Sequence, residues 1–221
     1  MNVAVSPFAV FGGMFDPIHY GHLRAALELH ELIGLDKVAF VPAGDPPHRP
    51  LPFADARTRL EIVRASVGDD PRFVVDDREL RRGGPSYTVL TLEELRAERG
   101  AQPLVLIVGM DAFALIDGWH RASEIVSLAH IVVAQRPGAV RPGAGLAASL
   151  LAERLCEDPA ELARAPAGLV FVGANTALDL SSSAVRAVVA AGRDPRYLMP
   201  EAARRIILAR GSYARPGDEK E

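Results

Sequence analysis

Short, almost wholly apolar runs alternate along this chain with stretches whose apolar residues recur at helical spacing. "FAVFG" (8–12), "KVAFVP" (37–42), "RFVVDD" (72–77), "PLVLIVGMD" (103–111), "AHIVVAQRPG" (129–138) and "GLVFVG" (168–173) read as strands. Between them, "HLRAALELHELIG" (22–34) carries Leu23, Ala26, Leu27, Leu29, Leu32 and Ile33 on one side, with Gly34 as a stop. "DARTRLEIVRASVG" (55–68) reads as a second amphipathic helix capped by Asp55, and "YTVLTLEELRAERG" (87–100) as a third. "SSSAVRAVVAAG" (181–192) has a serine cap and a glycine stop, and "PEAARRIILARG" (200–211) opens on a proline suited to a first helical turn.

Strands that are apolar on both sides and separated by helices predict a parallel sheet covered on each face. The expected class is therefore α/β, a Rossmann-like doubly wound parallel sheet. One domain over residues 1–213 accommodates it, with 214–221 as a polar tail. The Ala-, Gly- and Pro-rich stretch 137–168 breaks the rhythm and reads as a loop with one or two short helices.

Composition adds exclusions. A net charge of −3 gives no global case for nucleic acid or an anionic membrane. Cys156 is the single cysteine, which removes a disulfide framework and a multi-cysteine zinc site. There is no signal-peptide pattern at the start, and no apolar stretch of the ~20 residues a membrane span needs. A cytoplasmic enzyme or binding module acting on small molecules is the expectation.

The chemistry concentrates in "FGGMFDPIHYGHLRAA" (11–26), where a strand hands over to a helix. Ligands of such sheets bind outside the carboxyl ends of the strands. Gly12 and Gly13 let a ligand approach the backbone, and the start of the following helix favours a phosphate. His19 and His22 flank that phosphate, apt for stabilising charge during phosphoryl transfer. Either histidine alone reads equally well as a structural residue. Asp16, His19 and His22 also have spacing that suits a zinc or iron ligand set, which would imply a metal hydrolase. Far away, "LSSSAVR" (180–186) makes a second candidate phosphate site, with Ser182 and Ser183 at a helix start and Arg186 one turn in.

Together these stretches resemble the nucleotidyltransferase superfamily, whose N-terminal signature is matched by Gly12, Gly13, Phe15, Asp16, Pro17, His19, Gly21 and His22. Met14 departs from the usual Ser or Thr, leaving its backbone N–H to serve. "LSSSAVR" resembles the superfamily's C-terminal motif. "VPAGDPPHRP" (41–50), "PSYT" (85–88), "VGMDAF" (108–113), "GWH" (118–120) and the end "YLMPEAARRIILARGSY" (197–213) follow the order of bacterial nicotinate-mononucleotide adenylyltransferases. The resemblance implies transfer of AMP from ATP, carried with magnesium, to nicotinate mononucleotide. It implies catalysis by His19, His22 and Arg186. ATP would lie on Gly12, Gly13, Met14, Phe15, Asp16, His19, His22, Gly109, Asp111, Ser182, Ser183 and Arg186. Trp119 would stack on the pyridine ring, while Thr88 and the His120 backbone N–H meet its carboxylate beside Tyr87. His48 and Arg136 are the candidates for the mononucleotide phosphate. Transfer to amidated or phosphopantetheine substrates is the nearest alternative.

Overall fold

The apolar runs pair side by side. The computed structural model describes residues 5–44 and 52–214. Among them, six strands form one sheet: β1 (Phe8–Gly13), β2 (Val38–Pro42), β3 (Phe73–Val75), β4 (Leu104–Gly109), β5 (His130–Ala134) and β6 (Val170–Gly173). Every pairing is parallel and the spatial order is β3-β2-β1-β4-β5-β6. The sheet is doubly wound as expected, and its strand order reverses between β1 and β4.

The helices are α1 (Tyr20–Ile33), α2 (Ala56–Val67), α3 (Arg78–Arg82), α4 (Thr88–Arg99), α5 (Met110–Phe113), α6 (Ala122–Leu128), α7 (Gly145–Arg154), α8 (Ser182–Ala190) and α9 (Glu201–Arg210). Side chains alternate across a strand, so β1 feeds two cores. Ala9 and Phe11 pack with α1, α2, α8 and α9, whereas Phe8 and Val10 pack with α4, α5, α6 and α7. That double burial is why the strands read as continuous apolar runs. No helix among the described residues is long and apolar enough to cross a membrane.

Several boundaries differ from the sequence reading. Helix α1 starts at Tyr20 rather than 22, because His19 supplies its cap. Leu32 is 44% exposed, at the edge of the stripe formed by Ala25, Ala26, Leu29 and Ile33. Strand β3 stops at Val75, since Asp76 and Asp77 turn to the arginines of α3. That helix has no apolar periodicity to announce it; Arg78 pairs with Asp76 and Glu98 instead. Pro200 is the cap residue of α9, outside its first turn. Within 137–168 lie α7 and a 3-10 turn at Pro159–Ala163. Leu155 bridges to Val170, and the Cys156 N–H bonds the Val170 carbonyl, so this segment lies along β6.

Candidate active site

The strand order reverses between β1 and β4, so their carboxyl ends open a crevice. A cleft lies there, with Gly12, Gly13 and Met14 after β1 and Gly109 at the end of β4 among its lining. The two glycines have different reasons to be there. A Cβ on Gly12 would meet nothing within 4 Å, so its backbone is open to a ligand. A Cβ on Gly13 would stand 3.2 Å from the Phe15 ring, so the protein's own packing crowds any side chain there.

Phe15 turns the chain with φ +46, a conformation that is costly for an aromatic residue. Its ring is buried against Phe11, Phe40 and His22 at 5.8, 5.9 and 5.2 Å between centroids, which holds the turn in place. Asp16 follows, and both its carboxylate oxygens accept backbone N–H groups, from Phe53 at 2.9 Å and Ala54 at 3.2 Å. The residue is 5% exposed. Its carboxylate is thus a clamp between chain segments, 4.0 Å from the Arg186 guanidinium, and its carbonyl accepts from Arg186 as well.

The two histidines three apart form a reciprocal cap at the start of α1. The Gly21 N–H donates to His19 Nδ1 at 3.1 Å, and the His19 N–H donates to His22 Nδ1 at 3.3 Å. This is the capping-box pattern with imidazoles in place of Ser and Glu. A nitrogen that accepts is unprotonated, so each neutral ring carries its proton on Nε2. The rings lie 3.8 Å apart at 31°, a separation suited to two uncharged imidazoles. Burial, then the charge of Arg136, lower the pKa of His19 from 6.5 to about 4. Burial, then His19, then Arg136 hold His22 well below its ordinary value. At neutral pH the pair is a set of neutral N–H donors. Gly21 completes the arrangement, because a Cβ there would stand 2.9 Å from His19 Nδ1.

Helix α8 brings the second motif against the first. Ser181 caps it by accepting the Ala184 N–H at 3.1 Å. The Ser182 hydroxyl donates to the Pro17 carbonyl at 2.8 Å, so its side chain ties the two motifs together and its backbone N–H remains in the first helical turn. Arg186 donates to the Asp16 carbonyl at 2.6 Å and the Ser183 hydroxyl at 3.0 Å, with its guanidinium 4.5 Å over the Phe53 ring. Helix α8 therefore starts against the start of α1, whose first amides are already taken: the Tyr20 N–H donates to the Leu198 carbonyl at 3.0 Å, the Gly21 N–H to His19 Nδ1 and the His22 N–H to the His19 carbonyl at 3.0 Å. The positive dipole ends of the two helices still favour an anion.

The far wall of the cleft holds Tyr87, Thr88, Trp119 and His120. Tyr87 and His120 stack at 4.3 Å between ring centroids. Tyr87 is the cap residue of α4 and makes no side-chain cap bond; Thr88 is the first helical residue, not the cap. Trp119 follows a 3-10 turn at Ile116–Gly118, as expected. Arg136 is placed apart from this group. It donates to Asp111 at 3.0 Å and to the Leu180 carbonyl at 3.2 Å, and its Cδ lies 3.8 Å from the position of a Cβ on Gly109. The structure thus groups Arg136 with Gly109, Asp111 and the segment leading into α8. His48 and Arg49 lie outside the described residues.

Sequence reasoning passed over three residues at this site. Glu79 and Ser86 line the cleft; Glu79 accepts the Thr91 hydroxyl at 2.7 Å, and Ser86 accepts the Gly44 N–H at 2.9 Å. Nothing in local spacing marks either one. Arg59 is fully buried beneath the turn. It did leave a signal, an arginine three and four residues before Ile62 and Val63 on the apolar face of α2.

The sequence profile of the cytidylyltransferase-like family matches residues 10–188. A probable nicotinate-nucleotide adenylyltransferase of Marinobacter nauticus is 47% identical over 94% of this chain and 97% of its own length. One of Halorhodospira halophila is 44% identical over 98% and 99%. Among solved structures, the Plasmodium falciparum nicotinic acid mononucleotide adenylyltransferase complexed with NaAD has the same fold, with a TM-score of 0.69 at 14% identity, covering 94% of this chain and 97% of that one. With the two sequence motifs bonded to each other and relatives matched end to end, the chain belongs to the cytidylyltransferase-like family and, within it, to the nicotinate-nucleotide adenylyltransferases.

Proposed function

We infer that the protein transfers the adenylyl group of ATP to nicotinate mononucleotide, giving deamido-NAD and pyrophosphate in NAD biosynthesis. The observation that carries this is the near-full-length identity, at 47% and 44%, to relatives named for that activity. The cleft geometry supports it, with a phosphate turn on one side and an aromatic wall on the other.

An oxygen of the mononucleotide 5′-phosphate attacks the α-phosphorus of ATP in line. The new P–O bond forms as the bond to the β-phosphate oxygen breaks, and pyrophosphate leaves. Nucleophile and leaving group are already anions, so no proton needs to move. What the reaction needs is alignment and charge stabilisation. Neutral His19 and His22 suit this role, since their Nε2–H groups donate to phosphate oxygens without acting as acids. Arg186, the Met14 and Ser182 N–H groups and the Ser183 hydroxyl complete the triphosphate site. Gly109 and Asp111 are assigned to adenosine.

Trp119 offers its indole face to the pyridine ring. Thr88 and the His120 backbone N–H are assigned to the nicotinate carboxylate, aided by the N-terminus of α4. Arg136, expected on the mononucleotide phosphate, is assigned to the junction where the two phosphates meet. Its charge reaches both His19 and His22, which supports that placement.

ATP comes to nucleotidyltransferases with a divalent metal, proposed here to be magnesium, which neutralises phosphate charge. Among the described residues no three His, Cys, Asp or Glu side chains come together to hold a metal ion. The carboxylate of Asp16 is taken by two amides, and the histidine Nδ1 atoms by two more. The ion therefore fits as part of the substrate, and the geometry does not support a hydrolase centre on Asp16, His19 and His22.

The test is pyrophosphate release from ATP and magnesium with nicotinate mononucleotide, NMN or phosphopantetheine offered in parallel. Strong release with nicotinate mononucleotide alone is expected. Equal release with NMN would remove the acid selectivity assigned to Thr88 and His120, and release only with phosphopantetheine would overturn the substrate assignment.

A further inference from the structure

Arg59 is 0% exposed, yet among the described residues its guanidinium bonds only backbone carbonyls. Burying a cation this way costs several kcal/mol, and an apolar side chain of similar volume fills a core as well. Core packing therefore does not account for an arginine here. The three carbonyls do. Nη1 donates to Met14 at 2.7 Å, Nη2 to Gly44 at 3.2 Å and Nε to Ala54 at 3.2 Å. Each belongs to a different segment: the glycine turn after β1, the turn after β2, and the residues leading into α2.

Other bonds cross the same gap. The Ala43 N–H donates to Gly13 at 2.9 Å, and the Gly44 N–H to Ser86 at 2.9 Å. Met14 lines the cleft beside the nucleotide motifs, while Ala43 lines it with Ser86, Tyr87 and Thr88. A planar guanidinium is the one side-chain group whose rigid fork holds three diverging acceptors at once. We propose that Arg59 is a positioning residue for the transfer, setting the spacing between the turn that carries the nucleotide phosphates and the turn that borders the mononucleotide.

This rests on the reaction proposed above, in which two separately bound phosphates must meet in line. Such a step loses about 10²-fold for a displacement of about 1 Å. Loss of the spacing should therefore appear in kcat, while each substrate still finds its own contacts.

Two variants approach the contact from opposite sides. Arg59→Lys keeps the charge and replaces the fork by a single ammonium. Gly44→Ala leaves Arg59 intact, but its Cβ would stand 2.8 Å from the Glu79 carbonyl oxygen and 3.3 Å from the Ser86 hydroxyl, so the Gly44 turn and the guanidinium bond to it are disturbed from the other side. Steady-state pyrophosphate release and thermal unfolding are measured for both variants, for the double variant and for the wild type. The expected result is a fall in kcat of about 10- to 100-fold in each single variant, with both KM values within about threefold of wild type. The double variant should lose less than the product of the two, because both break one contact. Should Arg59→Lys fail to fold, Gly44→Ala alone decides. Wild-type kcat in a folded variant, a loss confined to KM, or fully multiplicative losses would overturn the proposal. An inert wild type would remove the reaction and this inference with it, whereas an active wild type with unaffected variants removes the inference alone.

Discussion

Replacing His19 by asparagine separates what the imidazole does for the fold from what it does for the reaction. Asparagine is a strong cap residue, and its amide oxygen can take the Gly21 N–H that His19 Nδ1 now accepts. The cap is kept; the Nε2–H donor and the titrating group are lost. Removing one donor to transition-state charge costs about 10²- to 10³-fold in kcat. The stability effect has the opposite character and depends on pH. Unfolded, His19 binds a proton below 6.5; folded, it does so only at about 4. Wild-type stability from this group is therefore complete above 6.5 and is lost as pH falls through 4. At about 1.4 kcal/mol for each tenfold, the loss amounts to about 3 kcal/mol. The variant has no such group, so it should gain on the wild type by most of that amount between about pH 7 and pH 4.5. Urea unfolding of both proteins across that range gives the difference; groups remote from the pair cancel, while His22, relieved of the His19 charge, adds to the variant's gain in the same direction. A difference that stays flat with pH would refute the neutral imidazole pair. Undiminished kcat in folded His19→Asn would remove Nε2–H from the reaction.

Four further outcomes follow from the same geometry. Gly12→Ala should fold like the wild type and lose turnover at least about tenfold, because its Cβ enters only the cleft; Gly13→Ala should lose about 1–2 kcal/mol of stability in urea unfolding, because its Cβ presses on Phe15. Thr88→Val should lower kcat/KM for nicotinate mononucleotide about tenfold and leave that for NMN unchanged, the cost of one unmade hydrogen bond. Arg136→Ala should raise the pKa of His19 above about 4 but keep it under 6.5, since burial is the larger cause; NMR titration of the imidazole reads this directly, and an unmoved resonance would exclude the electrostatic contact.

Local rules carried much of the fold. Short runs that are apolar on both faces and alternate with helical patterns read as strands of a sheet covered on each side, and most of the helices between them announced their own ends. Asp55 accepts the Thr58 N–H at 2.9 Å as a cap, and Gly34 closes α1 at φ +72. Helix α3 was invisible to such rules, because Arg78 and Arg82 hold it through ion pairs with Glu98 and Glu94, which lie in α4. Ion pairs between elements have no period.

At the site the division follows the same line. The residue types and spacings of His19 and His22, and the serines ahead of Arg186, could be read from the chain, since a cap is a contact between residues two to four apart. What the chain alone did not decide is which atoms remain for a ligand. Asp16 and Ser182 had the chemistry to touch ATP, but packing commits the Asp16 carboxylate to Phe53 and Ala54 and the Ser182 hydroxyl to Pro17. Arg136 is expected from the sequence at the mononucleotide phosphate, and the β4 and β5 ends place it beside Asp111. Sequence by itself determined the sheet, the caps and the place of the two candidate phosphate motifs, because short-range sterics and burial periodicity act within a few residues. Only the tertiary structure decided the neutrality of the histidine pair and the placement of Arg59 under both turns, because desolvation and hydrogen-bond partnership depend on groups dozens of residues away.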